Sequence, residues 1–100
     1  MAKGKYVSPQ NAKSPKARLD NLEVLIDNGQ DSWALAKFDW DGSLAYGLRW
    51  NGNDYESGKG LGNPQSSGHA TWVVLPEDIV VLLKKDPTFG PLMRTFNDDY

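Results

Sequence analysis

Residues 33–50 read WALAKFDWDGSLAYGLRW, and this stretch decides the fold class. The dipeptide Asp41-Gly42 favours a two-residue turn, because both residues tolerate the positive φ that such turns require. On either side of it, large apolar residues alternate with small or polar ones, which is typical of β-strands. The stretch therefore predicts an antiparallel hairpin with strands over residues 32–39 and 44–50.

A two-residue turn also sets the register of this hairpin. On one face the predicted pairs are Asp39 with Leu44, Lys37 with Tyr46, Leu35 with Leu48 and Trp33 with Trp50. On the other face Phe38 lies opposite Ala45, Ala36 opposite Gly47 and Ala34 opposite Arg49. We expect the bulky face to be the core, whereas the small centre of the other face lets a helix, a strand or a ligand approach closely. A three-residue turn, which shifts the register by one residue, is the alternative.

The segments around the hairpin predict two further strands. Leu22, Val24 and Ile26 recur with a period of two and indicate a strand that begins near Leu19 and ends at an Asn-Gly turn. Residues 71–75 (TWVVL) read as a buried fourth strand, with Trp72 in the core. Four strands joined in chain order predict an antiparallel meander.

A helix is predicted over residues 76–85. A proline suits its first turn, where the missing N–H is not needed, and acidic residues at the start and lysines at the end favour the helix dipole. Ile79, Leu82 and Leu83 share one face at helical spacing, so we expect this face to pack on the sheet. A short second helix starting at Pro91 would turn Leu92 and Phe96 inward.

Together these elements predict a small α+β domain, an antiparallel β-sheet of about four strands in a meander with a C-terminal helix packed on it. The domain covers residues 19–97 and follows a basic N-terminal arm, residues 1–18, that is either flexible or laid over the body as a strap. Tyr6 and Val7 would anchor such a strap.

Charge is distributed unevenly between the arm and the body. The arm contains five basic and no acidic residues, and since the whole chain carries −2, the remainder carries −7. The basic residues are candidates for nucleic-acid contact, namely Lys3, Lys5, Lys13, Lys16 and Arg18. An acidic body repels phosphates and weighs against general nucleic-acid binding.

The chain has no cysteine, no apolar run of membrane-spanning length and no signal peptide, so we expect a cytoplasmic protein without membrane contact.

The glycine-rich connection over residues 51–70 is the longest irregular segment. Its Gly58-Lys59-Gly60 lacks the Ser or Thr that follows the lysine of a phosphate-binding loop, and a strand rather than a helix comes next, so phosphate binding is not expected. Two interpretations stay open: a mobile surface connection, and a binding surface, because long loops in compact domains are often functional. The candidate ligand-binding residues are Trp40, Arg49, Tyr55, Glu56, Lys59 and His69.

Catalytic patterns are weak. One histidine and no cysteine leave only carboxylates to complete a metal site. A hydrolase centred on His69 with Glu56 and a serine of the loop would place all its groups on one irregular segment, which positions them poorly. We therefore name no catalytic residue, metal or cofactor.

The stretches NLEVLIDNG, WALAKFDWDG, GLRWNG and TWVVLP resemble small uncharacterised bacterial proteins carried on mobile DNA, such as integron gene cassettes. The resemblance implies a bacterial cytoplasmic accessory protein and assigns no functional residue. Because both hairpin faces are apolar and only one clear helix is available to cover them, we expect a non-enzymatic module that binds a small ligand or protein, or self-associates, through its apolar sheet face and the 51–70 loop. Nucleic-acid binding by the arm, or less favourably a hydrolase, is the alternative.

Overall fold

The structure is a computed structural model that describes residues 5–93. It confirms the small α+β fold, with a four-stranded antiparallel sheet and helices at the C-terminal end. The elements in chain order are a 3-10 helix at Pro9–Asn11, β1 Leu19–Asp27, β2 Trp33–Trp40, β3 Ser43–Trp50, β4 Gln65–Ser66, β5 His69–Ala70, β6 Val73–Val74, α1 Glu77–Lys85 and α2 Gly90–Met93. No helix within residues 5–93 is long and apolar enough to cross a membrane.

The sheet has the order β1-β2-β3-β6, and strands β4 and β5 form a separate small hairpin. The two-residue turn and the predicted register are confirmed, from Trp33 opposite Trp50 to Asp39 opposite Leu44. The fourth strand is shorter than predicted, because Thr71 donates its N–H to Pro64 in the preceding loop instead of to β3.

The small face of the hairpin forms a second core, in addition to the predicted core on the bulky face. Ala34, Ala36 and Phe38 are fully buried on this face together with Trp72. The predicted close approach is confirmed at Gly47, where an added Cβ would lie 2.8 Å from the Phe38 ring and 3.0 Å from Cβ of Trp72. The missing side chain therefore makes room for these two rings.

Residues 5–18 cover this second core as a strap. Ala12 is completely buried, and its carbonyl accepts a 2.7 Å hydrogen bond from the indole N–H of Trp72. Backbone bonds hold the strap on either side, since Val7 donates to Gly60 at 2.9 Å and Ser14 donates to Ala70 at 3.3 Å. The strap is thus attached to the loop and hairpin that follow β3.

The helices cover the middle of the bulky face. Leu35, Tyr46 and Met93 are buried there, and side chains of α1 and of the segment after it pack against them. The prediction that Ile79 and Leu82 face the sheet was wrong, since they are 42% and 63% exposed.

Apolar residues occupy every position from 79 to 83, so periodicity alone cannot choose the inward face of α1. The residues that pack inward are Val80 and Leu83, and Lys84 is buried with its ammonium 5.3 Å from the Tyr46 ring. In α2, Leu92 is exposed rather than inward, and Phe96 lies outside the described residues.

The glycine-rich connection is tightly packed. An added Cβ at Gly52 would lie 1.8 Å from the carbonyl oxygen of Lys59, and one at Gly60 would lie 1.8 Å from that of Lys5. At these positions glycine permits backbones to touch. Gly58 and Gly68 differ, because they have positive φ in open turns. Much of the loop is therefore built against the body.

Candidate functional site

One end of the bulky sheet face remains uncovered beyond the helices. The cross-strand pair Trp33 and Trp50 lies there, and Trp50 is 54% exposed, so its predicted place in the core was wrong. The predictions that Tyr46 and Trp72 are core residues are confirmed. The uncovered end forms one wall of a groove of about 700 Å³.

This groove, called the apolar groove below, lies where the sheet meets the 51–70 connection. Its lining consists of Trp33, Leu48, Arg49, Trp50, Asn63, Pro64, Gln65 and Val73. Two backbone pairings hold the lining residues in position. Val73 pairs with Leu48 in the sheet, and Asn63 pairs with Trp50 through backbone hydrogen bonds of 2.7 and 2.8 Å. The groove is thus built on regular backbone pairing.

A smaller apolar cavity of about 180 Å³ continues the groove towards the helices. It shares Trp33 and Leu48 with the groove and is completed by Leu35, Leu83 and Phe89. The rings of Trp33 and Phe89 lie 6.1 Å apart at their centres and are tilted by 52°. Apolar surface therefore extends from the edge of the sheet to the end of α1.

A polar pocket of about 380 Å³ adjoins the apolar groove at Trp50. It shares Trp50, Asn63 and Gln65 with the apolar groove, and the remaining lining is Asp31, Asn51, Gly52, Asn53, Glu56, Gly58, Lys59 and Gly62. The two compartments are therefore neighbours with a common wall.

Asn53 organises the polar pocket. Its side-chain amide donates to the carboxylates of Asp31 and Glu56, each at 2.9 Å, and its side-chain oxygen accepts from backbone N–H groups of the loop. The Tyr55 hydroxyl also donates to Asp31. Hydrogen bonds from Asn53 and then Tyr55 lower the pKa of Asp31, and the bond to Asp31 is the main reason that the pKa of Tyr55 is raised. At neutral pH the pocket carries ionised Asp31.

The structure brings together only some of the predicted site residues. Glu56 and Lys59 both line the polar pocket, and Tyr55 adjoins it through its bond to Asp31. Trp40 lies at the opposite end of the hairpin, packed edge-on against the Phe38 ring at 6.1 Å. The side chain of His69 is exposed on the β4–β5 hairpin and lines neither compartment.

Arg49, one of the predicted ligand-binding residues, lines the apolar groove and also makes contacts inside the protein. Its side chain is 2% exposed, and its guanidinium donates to the carbonyls of Thr71 and Leu61 and lies 5.9 Å from the Trp72 ring. Burial lowers the pKa of Arg49 from its ordinary value, with an opposing effect from Tyr6. The guanidinium thus joins two segments of the connection to the sheet.

The groups of the hydrolase alternative are not hydrogen-bonded to one another in the part of the chain that the structure describes. Within residues 5–93, His69 has no hydrogen bond to a serine hydroxyl or a carboxylate, and no group of three histidine or carboxylate side chains is placed to hold a metal ion.

The basic side chains of the arm are exposed at residues 5, 13, 16 and 18, and Lys3 lies outside the described residues. Arg18 is 3.7 Å from Asp41, an exposed ion pair.

Several residues that line the groove were not among the predicted ligand-binding residues. Trp33, Leu48 and Trp50 were predicted to form a bulky face, and only their position at the end of the sheet leaves them accessible. Val73 carries no local signal, because it reaches the groove by pairing with Leu48 of a distant strand. Pro64 carries none either, because it follows Asn63, which is the residue that bridges Trp50.

The chain matches no family model, and comparisons with curated proteins and with solved structures find no significant match. Function is therefore inferred from the geometry of the two compartments.

Proposed function

We propose that this protein is a non-enzymatic binding module whose apolar groove takes the apolar part of a small ligand. The observation that supports it best is the pair of exposed apolar side chains, Trp50 at 54% and Val73 at 52%, that line a cavity of about 700 Å³. Ligand sites are concave, predominantly apolar and a few hundred to about 1,000 Å³ in volume. The groove meets each of these criteria.

The composition of the groove favours binding over catalysis. Its polar lining residues are Arg49, Asn63 and Gln65, none of which is a nucleophile or a general base. An aromatic ring that buries about 150 Å² of its surface there gains about 4 kcal/mol from the hydrophobic effect. The loss of translational and rotational freedom on binding offsets part of this gain, so a single ring should bind more weakly than about 1 mM and larger ligands more tightly.

A fluorescent probe tests the proposal. N-phenyl-1-naphthylamine is uncharged at neutral pH, and its emission rises in apolar surroundings, so titration should give a saturable signal with one site per chain. Trp50→Ala removes about 60 Å² of contact, or about 1.5 kcal/mol, and should weaken binding about tenfold.

Leu44→Ala is the matched control for this variant. Leu44 lies on the same face of β3 at its other end, is 53% exposed and does not line the groove. Its replacement should leave the affinity unchanged. Equal weakening of probe binding by both variants, or a fluorescence signal that never saturates, would contradict ligand binding in the apolar groove.

Self-association through the same surface is the other form of this proposal. A second copy seated on the groove would compete with the probe, so affinity would fall as protein concentration rises. Size-exclusion chromatography with light scattering, run across the same concentrations, separates this outcome from ligand binding by a monomer.

Nucleic-acid binding by the basic arm remains a second candidate, favoured by the exposure of Lys13 and Lys16 on the strap. It predicts binding to single- or double-stranded DNA that weakens steeply with salt and weakens further in Lys13→Ala/Lys16→Ala. Absence of any binding at low salt would end this candidate. The resemblance to mobile-element proteins and the cytoplasmic location also stay predictions.

A further inference from the structure

We infer that the ligand is an amphiphilic organic cation, with its apolar body in the apolar groove and its ammonium group in the polar pocket. The inference rests on the proposed function, because it assigns a ligand class to the same groove. It is carried by three features of the polar pocket: its position, its charge and an unpartnered acceptor.

Position comes first. Trp50, Asn63 and Gln65 line both compartments, so a ligand that lies over this shared wall contacts the two at once. The groove itself presents an apolar surface and no exposed charged side chain, which suits an uncharged body. Any charged group of the ligand therefore belongs on the polar side of Trp50, where the Trp50 ring face also attracts a cation.

The charge of the polar pocket is negative. Of its lining side chains, Asp31 and Glu56 are acidic and Lys59 is basic. One further acid adjoins it, since Asp27 accepts from the Asn51 side chain at 3.3 Å. Acids thus outnumber the one lysine, and a cation is the complementary ligand charge.

Asn51 supplies an acceptor that lacks a donor. Its side chain is 1% exposed and lines the polar pocket, and its Oδ1 has no hydrogen-bond partner among the described residues. The orientation of the amide is set by its Nδ2, which faces two acceptors, the carbonyl of Gly29 at 2.9 Å and the carboxylate of Asp27. A buried acceptor without a partner is costly, and an N–H donor of a ligand would satisfy it.

Three probes with one ring system test the inference: 1-naphthylmethylamine, 1-naphthalenemethanol and 1-naphthylacetate. Each competes with N-phenyl-1-naphthylamine at an ionic strength of about 0.01 M, where charges are screened least. The amine should bind at least about tenfold more tightly than the acetate, with the alcohol between them. Equal affinities, or a preference for the acetate, would contradict a cationic ligand without contradicting ligand binding in the apolar groove.

Variants then locate the preference in the pocket. Asp31→Asn/Glu56→Gln keeps acceptor oxygens for Asn53 and should reduce the preference for the amine to about twofold or less. Asp41→Asn/Glu23→Gln is the matched control, because it removes the same two charges elsewhere and Asp41, like Asp31, has positive φ.

The control variant should retain the preference for the amine over the acetate. Loss of this preference in both variants would show that it depends on overall charge, and would contradict a cation site in the polar pocket. Circular dichroism confirms that each variant is folded. If N-phenyl-1-naphthylamine itself fails to bind the unmodified protein, the proposed function fails and the inference fails with it.

Discussion

Gly47→Ala is expected to destabilise the protein by strain in the small-face core. The new methyl group would lie 2.8 Å and 2.9 Å from two carbons of the Phe38 ring and 3.0 Å from Cβ of Trp72, whereas ordinary carbon contacts are about 3.5–4.0 Å. The Phe38 ring cannot move freely, because it is buried between Trp40 and Trp72 at centroid distances of 6.1 and 6.0 Å.

Overpacking of a core costs about 1–3 kcal/mol, and three contacts this short place the substitution in the upper half of that range. Replacing glycine within a strand recovers about 0.5–1 kcal/mol of conformational entropy. The expected net loss is about 1–2.5 kcal/mol, which lowers Tm by at least about 4 °C in a domain of this size.

Urea unfolding, followed by tryptophan fluorescence and circular dichroism, measures this loss. A double-mutant cycle with Phe38→Leu tests its cause, since the smaller side chain makes room for the methyl group. The two substitutions should couple favourably by about 1 kcal/mol. Additive losses, or a stabilising effect of Gly47→Ala alone, would refute the proposed contact.

Three further outcomes are expected. Trp72→Phe leaves the buried carbonyl of Ala12 without its donor, so it should cost about 1–3 kcal/mol and expose the strap to limited proteolysis. Tyr55→Phe should lower Tm between about pH 5 and 9. The lowered pKa of Asp31 stabilises the folded protein at pH values above 3.8, the pKa of Asp31 in the unfolded chain, and the raised pKa of Tyr55 stabilises it at pH values below 10.0, the pKa of Tyr55 in the unfolded chain. The difference from the unmodified protein should therefore shrink as pH falls below 3.8 or rises above 10.0, and a constant difference across both limits would contradict it. Gly52→Ala should unfold the connection, seen as loss of probe binding, because its Cβ would lie 1.8 Å from a backbone oxygen.

Local sequence was sufficient for the hairpin and for α1. Asp41-Gly42 and the alternation around it set the register, and Pro76 followed by acidic residues marks the start of the helix. Both features act over a few residues, so no knowledge of distant contacts was required. The inward face of α1 was different, since Ile79 and Val80 are equally apolar and only tertiary packing selects Val80.

The features that the sequence did not predict depend on contacts between residues that are distant along the chain. Ala12 lies in a polar segment without apolar periodicity, and it is buried by packing in the core cluster that contains Trp72, 60 positions along the chain. Arg49 was predicted to be a ligand-binding residue, and its internal contacts were not predicted. Its two terminal guanidinium nitrogens donate to the carbonyls of Thr71 and Leu61 inside the protein, an arrangement that neither local pattern nor composition predicts.

The most direct test of the binding site uses the four tryptophan indole N–H signals of the ¹⁵N-labelled protein. During titration with 1-naphthylmethylamine, the signals of Trp33 and Trp50 should shift together to saturation with one dissociation constant. The Trp72 signal should stay in place, because its N–H is bonded to the carbonyl of Ala12 inside the core. Unmoved Trp33 and Trp50 signals, at ligand concentrations that shift Trp40 or Trp72, would contradict the account.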